Sequence, residues 1–228
     1  MFFKELQQAT EISRQSLFGV PVIIDALHGQ ITLEQYRAFL TQAYHHVKHT
    51  VPLLMACGSR LPARYNALRS SVAHYIEEEI GHEEWILNDI AACGGDPEAV
   101  RAGLPSLATE VMVAYAYHQI DRGNPLSFFG MVHVLEGTST AIATNAATVI
   151  RDSLALPQSA FTYLTSHGSL DLEHVVFFEK LMNEIVDADD QAAIIHSANA
   201  MYRLYGDIFR SLPSSPPRSQ TAAAALAA

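Results

Sequence analysis

Residues 126–153, LSFFGMVHVLEGTSTAIATNAATVIRDS, decide the fold. Apolar side chains recur there at three- and four-residue steps, and Ala141, Ala143, Ala146 and Ala147 leave little bulk on any side. That pattern suits a buried central helix rather than a strand, whose side chains would alternate. One carboxylate, Glu136, stands in the middle of this helix. Burying it ionised costs several kcal/mol unless a cation or strong polar partners answer it. A metal is the economical partner. His133, one turn earlier, is a ligand, a donor behind a ligand or a satisfied core histidine, and the last two readings are favoured.

The same periodicity extends in both directions, and β-branched alternation is nearly absent. The chain therefore reads as all-α. Helices are expected over 2–16 and from Pro21 to Leu27. A capping box, Thr32-x-x-Gln35, opens a long helix to about Gly58 that Pro52 should kink. A third begins at Pro62, carries HYIEEEIGHEEW (74–85) and stops at Cys93-Gly94-Gly95. Others cover 105–122, 126–153, Pro157 to about Ser166 with an interruption at Gly168 before the pattern resumes, and 188–211. Residues 1–212 are expected to form a single helical domain. The Pro/Ser and Ala-rich end, 213–228, cannot bury much and is expected to be a disordered tail.

Fourteen Lys and Arg against 24 Asp and Glu leave a net charge of −10. Without a basic cluster, phosphate backbones find no complement, so nucleic acid is not an expected partner. Two cysteines, Cys57 and Cys93, are too few for a disulfide framework and lie in no metal-spaced motif, which favours a reducing cytoplasm. No run reaches the roughly 20 apolar residues of a membrane span. The first residues, MFFKELQQATEISRQS, lack a basic stretch followed by an apolar one, so neither membrane nor secretion is expected.

Chemistry concentrates in three places. His167-x3-Asp171-x2-His174 brings two imidazoles and a carboxylate onto one helical face, a set that suits a divalent transition metal, iron or manganese above zinc. Glu79-x2-His82 is the step by which one helix supplies a carboxylate and an imidazole to a dinuclear site. Glu78 is a rival for Glu79, because four residues reach as easily as three. Glu136 is the third. Glycine adjoins a ligand in Gly81-His82, Glu136-Gly137 and His167-Gly168, which suggests close helix approach, room for substrate or a ligand helix that can move. His45, His46 and His49 read as pocket or surface histidines ahead of a second metal site. Tyr115, Tyr117, Phe128, Phe129, Phe177 and Phe178 read as core ahead of a substrate box.

In this order the six residues resemble the ligand pattern of the haem-oxygenase-like diiron oxidases and oxygenases. These are seven-helix proteins related in fold to the thiaminase-like (TenA) and PQQ-synthesis (PqqC) proteins. That family's order is Glu, His, a later Glu, then H-x3-D-x2-H; here 54 residues separate His82 from Glu136, and 31 separate Glu136 from His167. The resemblance covers about residues 5–211. It implies a seven-helix bundle, two Fe(II) held by Glu79, His82, Glu136, His167, Asp171 and His174, and O2 as co-substrate. A small organic acid, amine or fatty acyl chain is the implied substrate. The E-x-x-H form resembles the branch containing the fatty-acid decarboxylase that makes terminal alkenes. No Lys lies between Glu136 and Lys180, unlike the branch that consumes its own Tyr, and neither cysteine sits in the context of the thiaminase nucleophile. A metal-free thiaminase or PqqC-type enzyme, or a non-catalytic haem- or metal-binding protein, are the alternatives. A homodimer is the expected assembly.

Overall fold

The computed structural model describes residues 1–214, with the side chains of 167–174 outside that description. Eleven α-helices follow in order: α1 Phe2–Phe18, α2 Pro21–Leu27, α3 Leu33–Val47, α4 Thr50–Arg60, α5 Asn66–Glu79, α6 His82–Ala92, α7 Pro97–Ala102, α8 Leu107–Arg122, α9 Phe128–Leu154, α10 Thr162–Asn183 and α11 Ala188–Arg210. Short 3-10 turns precede α5, α9 and α10. No strand occurs among the described residues. The expected all-α bundle is therefore present, with its long helices divided more finely than the expected seven. Among the described residues, no helix is long and apolar enough to cross a membrane.

The division has physical causes. The expected kink at Pro52 is instead a complete break three residues earlier, between α3 and α4. A proline ring clashes with the carbonyl four residues before it, here that of Lys48, which is the C-cap of α3. Pro52 then sits in the first turn of α4, where its missing N–H removes no helical bond. The expected third helix is likewise two. Ile80 (φ −62°, ψ 121°) and Gly81 (φ 90°, ψ 0°) form the two corners of a type II turn that ends α5 and starts α6. Its second corner needs a positive φ, which glycine adopts without cost. α10 is one helix rather than two.

The central helix is α9, packed against α10, α11, α2 and α8. It crosses two apolar clusters. Phe128, Phe129, Met131 and Val134 join a core shared with α1, α4, α8 and α11. Ala143, Ala146, Ala147 and Ile150 join another with α3, α6 and the start of α10. Glu136 to Thr140 lie between, and this polar interval is where the candidate site forms. Gln35 Nε2 donates to the Pro213 carbonyl (2.9 Å), tying the segment that follows α11 beside α3; residues 215–228 of the expected tail lie outside the described residues.

Close backbone approach sets the depth of α9. A Cβ on Gly130 would stand 2.6 Å from the Ala198 nitrogen and 2.8 Å from the Ile194 oxygen, both backbone atoms of α11. Gly130→Ala should therefore push the two helices apart, at about 3 kcal/mol for an overpacked core, and lower the thermal midpoint by roughly 6–12 °C. An unchanged midpoint in differential scanning calorimetry would show that the helices do not meet so closely.

Candidate metal centre

The type II turn places Glu79 at its first position and His82 at its fourth, so the two side chains meet across a helix break rather than along one helix. Glu79 Oε2 and His82 Nδ1 are 3.1 Å apart, and the side chains are only 12% and 6% exposed. A carboxylate can only accept, so Nδ1 carries the proton and Nε2 is the basic nitrogen of the ring. Trp85, one turn along α6, stacks on the imidazole at 3.9 Å between centroids and fixes its plane. Glu78 Oε1 instead pairs with His74 Nε2 at 3.3 Å on the same helix.

Glu136, on α9, lines the same cavity as Glu79. Its Oε2 is withdrawn from solvent. Tyr75 bridges the two walls. It lies four residues before Glu79, hence on the same face of α5, and is 2% exposed. Burial, then the Glu136 charge and a hydrogen bond to Glu136, then the charges of Glu78 and Glu79, push its phenol far above the ordinary value. The phenol therefore stays protonated, buried close to the Glu136 carboxylate. Sequence reading passed over Tyr75, although its four-residue step to Glu79 was the available signal.

Of the six expected ligands, the structure brings Glu79, His82 and Glu136 to one region. His167, Asp171 and His174 lie outside the described residues. Among the described residues, no three His, Cys, Asp or Glu side chains come close enough to hold a metal ion. What is described of α10 is its anchoring: buried Asp89 on α6 accepts from the backbone N–H groups of Thr162 and Tyr163, each at 2.9 Å. The helix bearing His82 thus caps the helix bearing H-x3-D-x2-H. Hard carboxylate oxygens, an imidazole with a defined tautomer and a largely apolar surround fit ferrous iron.

Of the glycines beside ligands, the two described ones do not serve close helix approach. A Cβ at Gly81 or Gly137 would meet nothing within 4 Å. Gly81 is required by its backbone conformation, and Gly168 lies outside the described residues. His46 lines the cavity and packs edge-on to Tyr205, whereas His49 bonds to the Tyr117 hydroxyl (3.2 Å) and His45 to Lys48 (3.2 Å). Phe128, Phe129 and Phe178 are buried core; Tyr115, Tyr117 and Phe177 pack against it. Both thiols are buried and outside the cavity wall, with burial pushing Cys57 up to about 12 and Cys93 to about 11.

A family model described as iron-containing redox enzyme matches residues 37–206. The chain belongs to this family. The matched span contains all six expected ligands. A protein of unknown function with a haem-oxygenase-like fold from Shewanella denitrificans superposes with a TM-score of 0.82 at 26% identity, covering 91% of this chain and 90% of that one. A TenA homologue from Pseudomonas syringae gives 0.76 at 10% identity, with 92% and 91% covered. Haem oxygenase-1 from Synechocystis, solved with haem, gives 0.72 at 12% identity, with 92% and 90% covered. The last two likenesses are of fold. No curated protein matches the chain.

His133, three residues before Glu136, is a core histidine. It is buried, contacts Thr10 Oγ1 through Nε2 (3.3 Å) and stacks on Phe178. Burial, helped by Arg14, lowers its pKa from 6.5 to about 4. The unfolded chain therefore binds a proton that the folded one refuses between these values, so stability is full above about pH 6.5 and falls as pH drops towards 4. The loss is on the order of 3 kcal/mol. His133→Phe should flatten that part of the stability profile in urea melts, since Thr10 keeps its bond to the Leu6 carbonyl. Identical slopes in both proteins would assign the pH dependence elsewhere.

Proposed function

We propose that this protein is a non-haem diiron oxidase or oxygenase acting on a small organic acid, amine or fatty acyl substrate. Glu79, His82, Glu136, His167, Asp171 and His174 are the ligands, and O2 is the co-substrate. The observation that carries the reading is the polar interval on α9, where Glu136 lines the same largely apolar cavity as Tyr75 and Glu79, the latter paired with His82. Two ferrous ions bound there would supply the electrons for O2 reduction and so permit C–H abstraction, oxidative C–C cleavage or N-oxygenation. The chain's own groups do the rest. Glu79 holds the His82 tautomer, and Tyr75 keeps its proton beside Glu136. The apolar wall excludes water from the reacting centre. A cytoplasmic homodimer with a small-molecule substrate completes the proposal.

Thiaminase-type chemistry needs a reactive thiol, and the state of Cys57 and Cys93 speaks against it. A thiol held at about 12 or 11 is almost wholly protonated at neutral pH. A non-catalytic haem- or metal-binding protein is separated by experiment. Anaerobic Fe(II) titration should saturate at about two equivalents, and O2 should then change the absorption spectrum. Glu136→Ala should abolish O2 consumption, whereas Asp171→Ala should retain about one iron and lose turnover. Two irons with normal O2 consumption in either variant would remove that residue from the site; no iron uptake by the wild type would defeat the reading.

A further inference from the structure

Past Glu136 the cavity continues along α9 towards its C-terminal end, walled by Val22, Ile31, Ile142, Ala146, Ile150 and Leu212. On a helical rise of 1.5 Å, Glu136 to Ile150 spans about 21 Å. No Lys or Arg among the described residues lines it, and its charged wall residues are Glu79 and Glu136. An anionic head group would find no complement in this arm from the protein alone.

One residue of the wall, Thr138, stands out among the described residues. Thr138 is 5% exposed and lines the cavity, and its Oγ1 is buried with no hydrogen-bond partner among the described residues. Threonine in a helix ordinarily turns its hydroxyl back onto the carbonyl four residues earlier. Thr10, Thr41, Thr140, Thr148 and Thr165 all do so here, at 2.7–3.1 Å. Thr138 leaves the Val134 carbonyl alone. It stands two residues from Glu136, about 200° around the helix, so the two occupy opposite edges of the cavity-facing arc. A buried hydroxyl without a partner is costly, and a hydrogen-bonding ligand would remove that cost.

We propose that the arm binds an elongated aliphatic molecule bearing one neutral hydrogen-bonding group, an alcohol, ketone or amide, held by Thr138 Oγ1. The inference names the ligand class of the cavity proposed above as the reaction site. It rests on that reading only for its link to turnover, since binding requires no iron.

Displacement of Nile red from metal-free full-length protein tests it, with 1-alkanols, 1-chlorodecane and decanoate as probes. Affinity should rise about fourfold per methylene from hexanol to decanol, the equivalent of about 0.8 kcal/mol for each buried CH2. Decanol should bind more tightly than decanoate. Thr138→Val should weaken decanol about tenfold and leave 1-chlorodecane unchanged, while Thr138→Ser restores decanol. Ala146→Phe, which fills the arm, should abolish both, and it serves if Thr138→Val fails to fold. Equal decanol affinity in wild type and Thr138→Val would show that water, not ligand, answers the hydroxyl. Alkanol affinity independent of chain length, or survival of binding in Ala146→Phe, would overturn the arm as the site. Iron uptake is unaffected by any of these outcomes, so the diiron reading stands or falls separately.

Discussion

A carboxylate set midway along a helix that is packed on most sides must be answered by polar groups from neighbouring helices, because water is not there to do it. Glu136 imposes this on the whole bundle. α9 joins one apolar cluster before it and another after it, and the two cores close around the interval instead of merging through it. Tyr75 and Glu79 from α5 line the cavity with Glu136, and His82 from α6 pairs with Glu79. Their protons are defined: a phenol that stays protonated and an imidazole whose Nδ1–H is engaged by Glu79.

Holding those groups in register requires that α5, α6, α9 and α10 keep fixed relative positions, and each contact has an identifiable agent. Gly130 lets α9 sit against the backbone of α11. The type II turn at Ile80-Gly81 redirects α6 without separating Glu79 from His82. Asp89 ties α6 to the first turn of α10, and Tyr36 donates to the Ala160 carbonyl just before it (2.8 Å). The result is a site supported by helix ends and caps, which are more sharply located than loops.

The helical fold was legible because its signals are local. Thr32-x-x-Gln35 forms the expected capping box, and Pro21 to Leu27 forms a helix with the expected ends. The breaks at Lys48 and Gly81 were harder to read, since a proline or glycine marks a disturbance but not which side of it the helix ends. The pairing of Glu79 with His82 was anticipated, yet through a helical step where the molecule uses a turn; both geometries bring residues i and i+3 together. Asp89 and Thr138 were invisible for another reason. Their roles come from what a distant helix places opposite them, and no periodicity within a single segment encodes that.

The central claim is that Glu79, His82 and Glu136 share two ferrous ions with His167, Asp171 and His174. Anomalous diffraction at the iron edge, from crystals loaded anaerobically with Fe(II), tests it most directly. Two peaks roughly 3.5–4 Å apart, as in other two-metal centres, and in direct contact with all six side chains are the predicted result. Iron bound elsewhere, or a map with no iron beside Glu136, would contradict the account.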